Sequence, residues 1–477
     1  MDRSNFTPAD IVEEVWSFLG LPEQAISSFK LECSPGPALP SSFKIGHIAQ
    51  SSIALSALAA ALVHSTLNNV SIPRVTVPLR HAIVEFKSER LYAIDGNPPL
   101  SAWGTVGGLH KTCDGYVRIH DSFPNHRYGT LRLLGLRPDA TRSDVASKTE
   151  GWRSIDLETS GLKNGLAIYA LRSYQEWDGL PQSNAISNQP ISLRKFNDGP
   201  RNVPGHLIKT SRSCLRGLRV VEMSRVIAAP VAGKTLAAHG ADVLWVTSPN
   251  LPDLPVLDRE FSRGKRTIQL DIRKASDKAK LLELLRTADV FIQGYRPQSL
   301  AGMGLSPEEL TATNPGLILA NLSAFGPDGP WSTRRGFDSL VQTCSGMNVS
   351  EADHFGAGES ARPMPCQALD HAAGYFLATG VSAAVYKRAT EGGSWIVDVS
   401  LARVMKYLRS LGQYPGHSGF ECPDIKGPAD VEESLFATSD TTFGKMKYVR
   451  HAAEIQGCKV GWEIMPKPLG TDIPEWK

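Results

Sequence analysis

An aspartate and a histidine, Asp370 and His371, begin an otherwise small and apolar stretch, PCQALDHAAGYFLATG, at residues 365–380. The composition of this stretch predicts a buried helix whose N-terminus carries the carboxylate. Asp is among the preferred helix-capping residues, so Asp370 could serve only as a cap. The positive end of the helix dipole also favours an ionised carboxylate, which would be suited to chemistry. The stretch alone leaves both interpretations open.

Histidines and cysteines elsewhere give weaker signals. His120 and His126 lie close together in HDSFPNH, but no third ligand stands near them in the sequence, so we predict no metal site. Cys366 and His371 could form a thiol–base pair, yet without an electropositive setting Cys366 is more typical of a small buried residue. No CxxC spacing occurs among the seven cysteines, a pattern that indicates reduced thiols: Cys33, Cys113, Cys214, Cys344, Cys366, Cys422 and Cys458.

Composition restricts the class of protein. A chain of 477 residues predicts two or three domains, and 42% hydrophobic with 21% charged residues is typical of a globular protein. The net charge is only +3 and no basic block is present, which argues against nucleic acid as a partner. Acidic residues stand where a signal peptide would be basic and then apolar. We therefore expect a cytoplasmic protein that does not bind or cross a membrane.

Residues 213–400 alternate between short apolar strands and amphipathic helices. Strands are predicted at 217–223, 242–246, 267–272, 289–294 and 316–326, with helices between them, for example at 230–241. Strand followed by helix, repeated, predicts an α/β fold with an open parallel sheet. No GxGxxG turn follows the first strand, where the sequence is SRVIAAP, so a dinucleotide-binding turn is not supported.

The first 200 residues predict a smaller α/β unit. A turn and strand are expected at 112–123, followed by a short helix, and a strand, turn and helix at 165–182. Residues 181–205 are rich in Pro, Asn and Ser, which predicts a join between two halves.

One internal repeat is visible. HIAQSSIALSALAAALVH at 47–64 resembles HAAGYFLATGVSAAVYK at 371–387, and predicted strands follow at 74–82 and 396–404. The offset is 324 residues for the histidines and 322 for the following valines, which favours duplication over chance. Asp370 of the second copy aligns with Gly46 of the first. Glycine could cap a helix almost as well, so if Asp370 does chemistry, only the second copy is active.

Four segments at 215–246, 263–272, 288–310 and 392–402 together resemble the family III CoA-transferases, which include the α-methylacyl-CoA racemases: LRGLRVVEMSRVIAAPVAGKTLAAHGADVLWV, RGKRTIQLDI, ADVFIQGYRPQSLAGMGLSPEEL and GGSWIVDVSLA. The resemblance implies a Rossmann-like open-sheet large domain and a small α/β domain, with the active site between them. It also implies two interlocked subunits, although a rearranged chain could build the cleft by itself.

The order of the halves departs from the family pattern. WGTVGGLHKTCDGYVRI at 103–119 resembles the glycine-rich loop and strand of the family's small domain, which normally follows the sheet half. PKPLGTDIPEW at 466–476 resembles the family's closing segment. We therefore expect a partial repeat at 1–94, the small domain at 95–200, the large CoA-binding domain at 213–410 and a C-terminal extension at 411–477.

The resemblance implies that Asp370 attacks an acyl-CoA thioester, giving a mixed anhydride and then an aspartyl-CoA thioester that a carboxylic acid resolves. Such a reaction uses acyl-CoA and a carboxylic acid as partners and needs no prosthetic group or metal. By motif position the CoA-binding residues are Arg225, Arg266, Arg273, Arg296, Arg335 and Tyr295. Backbone N–H donors for an oxyanion are expected from Gly104, Gly107 and Gly108.

The sequence departs from the family pattern at two positions, and two functions other than CoA transfer have to be considered. Gly294 replaces a frequent Asn, and Ala229 replaces a usual Gly. In racemases of the family a histidine precedes the aspartate of a G-H-D turn, whereas this turn is Gly336, Phe337 and Asp338. Phenylalanine cannot carry a proton, which favours CoA transfer over racemisation. The remaining alternative is a non-catalytic CoA-binding protein.

Overall fold

The computed structural model describes residues 2–32, 36–204, 206–209 and 211–476; Cys33 lies outside them. The helices are α1 Pro8–Phe18, α2 Ile45–Asn68, α3 Leu79–Glu85, α4 Ser88–Leu91, α5 Pro124–Leu133, α6 Arg142–Thr149, α7 Ser154–Lys163, α8 Tyr174–Asp178, α9 Pro181–Ala185, α10 Ala228–Ala238, α11 Pro255–Phe261, α12 Ala275–Arg286, α13 Pro307–Thr313, α14 Asp338–Cys344, α15 Met347–Phe355, α16 Ala368–Glu391 and α17 Leu401–Ser410.

The strands are β1 Phe29–Lys30, β2 Val75–Thr76, β3 Ala93–Ile94, β4 Gly108–Lys111, β5 Tyr116–Ile119, β6 Ile168–Ala170, β7 Ile191–Asn197, β8 Arg219–Met223, β9 Asp242–Thr247, β10 Lys265–Gln269, β11 Val290–Gln293, β12 Ile318–Ser323, β13 Ser394–Ser400, β14 Phe436–Thr441, β15 Gly444–Val449 and β16 Glu454–Ile455. Short 3-10 helices lie at Glu23–Ser28, Ala301–Met303, Gly416–Phe420, Pro428–Asp430 and Glu433–Leu435.

A seven-stranded sheet forms the centre of the molecule, in the order β10-β9-β8-β11-β12-β13-β7. The first six strands pair in parallel, with Val220 of β8 opposite both Val243 of β9 and Val290 of β11. All three valines are buried, as expected for a parallel sheet that is covered on both faces. The prediction of an α/β fold with an open, mostly parallel sheet is confirmed.

The seventh strand lies in the segment that we predicted to be a join. Within residues 181–205, α9 forms first and β7 then pairs antiparallel with β13, with Ile191 opposite Val399. An edge strand needs only one partner and a short apolar alternation, which the surrounding Pro, Asn and Ser residues conceal in the sequence. Residue 205, the end of the predicted join, lies outside the described residues.

Both predicted strands of the repeat end early and turn into helices. The strand expected at 396–404 ends at Ser400, whose hydroxyl accepts a hydrogen bond from the backbone N–H of Arg403 and caps α17. In the first copy only β2 forms, and α3 begins directly after Pro78. The apolar V-x-V-x-L pattern continues through the boundary, so only the cap and the proline mark where each helix begins.

The two repeat helices, α2 and α16, are both 24 residues long and pack against each other in the core. At the N-terminus of α2, a Cβ atom on Gly46 would lie 2.8 Å from the Cβ of Ala38 and 3.2 Å from Cδ1 of Leu79. The position equivalent to Asp370 is therefore filled by packing, and a side chain there would require the neighbouring residues to shift.

Among the described residues, α2 is the helix that is long and apolar enough to cross a membrane by length and composition. From the sequence we expected a protein that does not cross a membrane. In the structure, 94% of the most apolar window of α2 is buried inside the protein, where it packs on α16. A fully buried core helix is apolar on all sides, as a membrane-spanning helix is, so composition alone does not separate the two.

Two further sheets join the ends of the chain. The order β1-β2-β16 brings C-terminal residues next to the segment after α2, and the hairpin β14-β15 pairs with β3. Residues 411–477, which we expected as an extension, therefore complete sheets whose other strands come from residues 1–94.

The smaller α/β unit contains the antiparallel sheet β4-β5-β6, with α5, α6 and α7 beside it. Its core is a separate cluster of buried residues that includes Val117, Leu131, Leu157 and Ile168. Strand β5 and helix α5 form where the sequence predicts them. His120, in their connection, and His126, in the first turn of α5, both contact Phe337 at the N-terminus of α14.

Candidate active site

Asp370 lies in the first turn of α16, but another residue caps that helix. Oδ2 of Asp338, at the start of α14, accepts hydrogen bonds from the backbone N–H groups of Leu369 at 2.8 Å and Asp370 at 3.0 Å. The N-cap residue, Gln367, makes no side-chain capping bond. Asp338 thus satisfies two of the free amides of α16. The capping function belongs to Asp338, and the carboxylate of Asp370 is left to line a cavity.

Two cavities of different character meet at Asp370. One, of about 490 Å³, is lined largely by apolar groups, among them Leu100, Trp103, Val256 and Leu257. The other, of about 340 Å³, is lined by several arginines. Four residues line both cavities, namely Val226, Ile227, Phe337 and Asp370. A thioester placed at this junction could therefore extend an apolar group to one side and an anionic group to the other.

The backbone at the junction is strained. Val226, in the loop between β8 and α10, has φ +74°, a conformation that β-branched residues rarely adopt because Cβ crowds the backbone. Such conformations cost roughly 1–3 kcal/mol and cluster at functional sites, where the surrounding structure enforces them. Val226 lies at the carboxyl edge of the sheet, where ligands of open α/β folds bind. Its conformation is an independent indication that this edge is a functional site.

Three carboxylates approach one another around the N-terminus of α16. Asp370 is only 7% exposed, and burial raises the pKa of its carboxyl well above its usual value, with further contributions from the charges of Asp338 and Glu89. Burial likewise raises the pKa of Asp338 to about 6. The helix dipole was expected to keep Asp370 ionised, but desolvation and two neighbouring negative charges outweigh it. The carboxyl group of Asp370 is therefore harder to ionise than that of an exposed aspartate.

Glu89, on α4, is the most readily ionised of the three carboxyl groups. Burial opposes its ionisation, but a hydrogen bond to His371 and the charges of His371 and Arg90 outweigh it and lower the pKa of Glu89 to about 2. Nε2 of His371 lies 3.0 Å from Oε2 of Glu89, and both side chains are buried. His371, the residue after Asp370, therefore pairs with Glu89 of α4. Cys366 is fully buried, and burial raises the pKa of its thiol to about 12.

The raised pKa of Asp370 predicts an acid limb in the pH profile of any reaction that needs its carboxylate. The ionised fraction, and with it kcat/KM, is expected to rise with pH up to the raised pKa. Replacing Glu89→Gln removes one of the negative charges that raise this pKa while keeping an acceptor for His371. The acid limb is then expected to move to lower pH, whereas the exposed control Glu150→Gln leaves it in place. An unmoved limb in Glu89→Gln would contradict this electrostatic account.

The small unit contributes two histidines to the junction. The ring of His120 stacks on that of Phe337 at a centroid distance of 3.8 Å and an angle of 9°, and His126 approaches the same ring edge-on at 5.9 Å. Burial lowers the pKa of His120 to about 3 and that of His126 to about 4, so both imidazoles are neutral. Nδ1 of each ring is buried without a hydrogen-bond partner among the described residues. Both rings could hydrogen-bond to a ligand.

From the sequence, His120 and His126 were candidates only for a metal site, which we did not predict. Phe337 follows them by more than 200 residues, so nothing in their spacing connects them with the turn in which a phenylalanine replaces a histidine. The available signal was the resemblance of the whole small domain, which implies that this unit faces the sheet half across the active site. The structure adds which of its side chains reach the junction.

Residues 215–443 match the family model described as CoA-transferase family III. This part of the chain belongs to the family. It is 34% identical over 209 residues to a probable fatty acyl-CoA transferase of Mycobacterium tuberculosis, covering 41% of this chain and 52% of the relative. It is 32% identical over 240 residues to the succinate–glutarate CoA-transferase of Agrobacterium fabrum, covering 44% and 58%.

A longer match, 28% identical over 327 residues, joins 64% of this chain to 56% of an acyl-CoA transferase of Gibberella moniliformis. A crystal structure of the mycobacterial protein is 32% identical, with a TM-score of 0.38, and the match covers 41% of this chain and 55% of that one. The chain spans about half the length of the curated relatives that it matches.

Four of the CoA-binding residues expected for a family III member share the smaller cavity, namely Arg225, Tyr295, Arg296 and Arg335. The guanidinium of Arg225 lies 4.3 Å from the ring centroid of Phe123 and donates a hydrogen bond to the carbonyl oxygen of Pro252. Arg335 is half-buried, and burial and the charge of Arg296 lower the pKa of its guanidinium. Guanidinium groups close enough to act on each other electrostatically are suited to binding a phosphate group.

The other two arginines lie elsewhere. Arg266 is buried and forms a forked ion pair with Asp242, with Nη2 2.8 and 2.7 Å from the two carboxylate oxygens. Arg273 is exposed and pairs with Asp271. Neither is among the described residues that line the cavities at Asp370. Strand β10 is one of the two edge strands and lies two strands away from β8, so neither Arg266 in β10 nor Arg273 after it reaches the junction.

The glycine-rich loop of the family motif surrounds a carboxylate of the protein itself. The N–H groups of Val106 and Gly107 both donate to Oδ2 of Asp121 at 2.8 Å, and a Cβ on Gly104 would overlap that carboxylate. Gly108, at φ +95°, packs against Arg142. The Gly107 amide is therefore already bonded, in contrast to the expected free oxyanion donor. The neighbouring residues 100–103 line the apolar cavity instead.

The two departures from the family pattern lie in contact. A Cβ on Gly294 would be 3.0 Å from the Cβ of Ala229 and 3.2 Å from that of Ser224. Both Ala229 and Gly294 line the arginine-containing cavity. The extra methyl group at 229 thus occupies space that a larger side chain at 294 would need, so the two changes compensate each other in volume.

Proposed function

We propose that this protein is an acyl-CoA:carboxylate CoA-transferase in which Asp370 is the nucleophile. The observation that carries the proposal is the position of the Asp370 carboxyl group at the junction of an apolar cavity and an arginine-lined cavity. An acyl-CoA has the same two-sided character, with an apolar acyl group and an anionic phosphate-bearing carrier joined at the thioester. Family membership supports the same activity.

The acyl group would enter the larger cavity between Leu100, Trp103 and Leu257, where burial of apolar surface contributes about 25 cal/mol per Å². The CoA phosphates would bind Arg296 and Arg335 in the smaller cavity, with Tyr295 beside the adenine. Guanidinium groups form paired, charge-assisted hydrogen bonds to phosphate oxygens. This placement sets the thioester carbonyl carbon beside Asp370.

The proposed chemistry proceeds in four transfers. The carboxylate of Asp370 attacks the thioester carbonyl, the C–S bond breaks, and CoA leaves as a thiolate from a mixed anhydride. The thiolate attacks the Asp370 carbonyl of this anhydride, forming an aspartyl-CoA thioester and releasing the donor acid. The acceptor carboxylate then attacks the aspartyl-CoA, expelling the thiolate, which attacks the acceptor's acyl group and frees Asp370. Covalent catalysis divides the exchange into these easier steps, and no prosthetic group is required.

His120 and His126 would supply hydrogen bonds in this scheme. A neutral imidazole donates through one nitrogen, and both rings are held neutral by burial. Because the Gly107 amide is engaged by Asp121, these rings are the better candidates to stabilise negative charge on the thioester oxygen.

We further propose that the chain joins the second half of one family unit to the first half of another and builds its cleft alone. The equal length of α2 and α16 and their mutual packing support a duplicated origin. The residues that line one cavity or the other come from the small unit, from the sheet half and from the terminal segments of one chain, for example Trp103, Arg335 and Glu89. A homodimer is then not required for the cleft to form.

The proposal is tested by incubating the protein with a panel of acyl-CoAs and isotopically labelled free acids and following CoA exchange by mass spectrometry. We expect exchange of CoA between at least one donor and one acceptor pair without ATP. CoA binding without any exchange would instead support a non-catalytic CoA-binding protein, and absence of CoA binding at low salt would contradict the proposed site itself.

The second candidate, an α-methylacyl-CoA racemase, is favoured by the histidine that stacks on Phe337. Racemisation needs two groups that exchange a proton on opposite faces of the α-carbon, and His120 and Asp370 both line the apolar cavity. We expect no exchange of the α-hydrogen of a 2-methylacyl-CoA with solvent deuterium, because the low pKa of His120 makes it a poor base. Rapid exchange observed by NMR, and lost in His120→Gln, would support the racemase and contradict the transferase.

A further inference from the structure

Away from the cleft, three potential metal ligands that are far apart in the sequence come together. One ring nitrogen of His64 and the sulphur atoms of Cys214 and Cys458 all lie within 4.8 Å of one another. His64 is near the C-terminal end of α2, Cys214 precedes β8, and Cys458 follows β16. None of the three lines the two cavities at Asp370. The cluster is therefore separate from the proposed active site.

The cluster is held by the structure around it. Cys214 is buried, and His64 and Cys458 are half-buried. The N–H of Lys459, next to Cys458, donates to the carbonyl oxygen of Arg212 at 2.7 Å, which joins the two cysteine-bearing segments. The amide nitrogen of Asn68 lies 3.2 Å from Nδ1 of His64, one helical turn away on α2. The backbone thus fixes the cysteine segments against each other, and Asn68 restricts the ring.

We propose that His64, Cys214 and Cys458 bind one zinc ion, with a water molecule as the fourth ligand. Two thiolates and an imidazole are a typical zinc donor set, whereas Mg²⁺ and Ca²⁺ require oxygen ligands. Zinc bonds of about 2.3 Å to sulphur and about 2.0 Å to nitrogen place tetrahedral ligand atoms roughly 3.5–3.8 Å apart. The observed separation, within 4.8 Å, needs only a small contraction.

Zinc at this position would link α2, the segment before β8 and the C-terminal segment. These are separated by 150 and 244 residues in the chain. A metal that binds only the folded protein stabilises it in proportion to the logarithm of its concentration over its dissociation constant. The role of the site would be structural, holding the N-terminal repeat and the C-terminal residues to the central sheet.

The test uses the full chain, purified under reducing conditions, saturated with zinc chloride and dialysed. We expect one equivalent of zinc per chain by elemental analysis, and cobalt substitution is expected to give sulphur-to-cobalt charge-transfer absorption. Cys214→Ser and Cys458→Ser should lose the bound equivalent, whereas the matched controls Cys113→Ser and Cys422→Ser should retain it. His64→Ala, which removes no sulphur, should weaken the charge-transfer complex and lower zinc retention in case the cysteine variants fold poorly.

Wild-type protein that retains no zinc and gives no cobalt charge-transfer band would overturn the proposal. Peptide mapping that finds a Cys214–Cys458 disulfide in the native protein, together with a failure of the reduced protein to bind zinc, would do the same. Equal loss of metal in Cys422→Ser and Cys458→Ser would show that the binding is not at this cluster. Each result is independent of CoA transfer, so it does not depend on the proposed activity.

Discussion

Replacing Asp370→Asn is expected to reduce kcat for CoA transfer by roughly 10⁴-fold or more, the size of loss typical when a catalytic nucleophile is removed. Asparagine has nearly the same volume and shape, but its amide is a far weaker nucleophile than a carboxylate and cannot form the anhydride. The loss should appear in kcat, because the arginines of the adjoining cavity still bind CoA. Single-turnover kinetics with a matched donor and acceptor measure the effect.

The same variant is expected to be more stable than the wild-type protein at neutral pH. Burial raises the pKa of Asp370, so the folded state binds its proton more tightly than the unfolded state. The wild-type protein therefore loses free energy of unfolding as the pH rises above about 4, the unfolded pKa of Asp, towards the raised folded value. The asparagine amide has no charge to bury, so Asp370→Asn should have the higher free energy of unfolding at pH 7.5, and this difference should vanish near pH 3. Urea unfolding at both pH values measures it.

A covalent intermediate on Asp370 can also be trapped chemically. Hydroxylamine added during turnover should convert residue 370 of the wild-type protein to a hydroxamate, detectable by peptide mass spectrometry, and leave Asp370→Asn unmodified. The exposed Asp353→Asn serves as a control that should remain active. A useful control is not available in the first repeat, because a side chain at position 46 would contact Ala38 and Leu79. An Asp370→Asn protein that retains full transfer activity would show that this carboxylate is not the nucleophile.

Arg335→Met is expected to weaken CoA binding about 10- to 100-fold, whereas Arg273→Met should leave it unchanged. Both arginines were expected at the CoA site from motif position, and the structure separates them. Arg335 lines the cavity at Asp370, while Arg273 is exposed and pairs with Asp271. Loss of hydrogen bonds to a charged phosphate costs roughly 1.5–3 kcal/mol, which corresponds to this change in the dissociation constant.

Isothermal titration calorimetry with CoA at two salt concentrations is the appropriate measurement. The wild-type affinity should fall as salt increases, because several guanidinium–phosphate contacts contribute, and Arg335→Met should depend less strongly on salt. Equal loss of affinity in Arg335→Met and Arg273→Met would contradict the assignment of the arginine-lined cavity to CoA. It would instead favour a site at the edge strand β10.

Much of the sheet was accessible from local patterns. The runs at 217–223, 242–246 and 289–294 form strands β8, β9 and β11, because buried parallel strands are continuous apolar runs that local composition reveals. The small unit followed the same logic at β5 and α5. Boundaries were less predictable: β13 ends at Ser400 and α17 begins at once, since a single capping hydroxyl, and not a change in hydrophobicity, marks the transition.

The candidate nucleophile was also accessible, since Asp370 breaks an apolar run and matches the family motif, and so was part of the arginine set. The pKa of that carboxyl group could not be predicted from the sequence. Its pKa depends on burial and on Glu89 and Asp338, which lie 281 and 32 residues away in the chain. The local helix dipole predicted a carboxyl group with a low pKa. Burial and the nearby like charges raise that pKa instead, and both depend on how distant parts of the chain pack around Asp370.

The sequence by itself determined the family resemblance, the α/β sheet and the carboxylate on which the proposed chemistry depends, because each can be recognised from short continuous segments of the chain. Only the tertiary structure decided that Asp338 caps α16, that Gly107 binds Asp121, and that Arg266 and Arg273 lie apart from the cleft. It alone brought His120 onto Phe337 and His64 to Cys214 and Cys458. Such contacts join residues from distant parts of the chain, and their geometry is fixed by how whole helices and sheets pack, which no local pattern encodes.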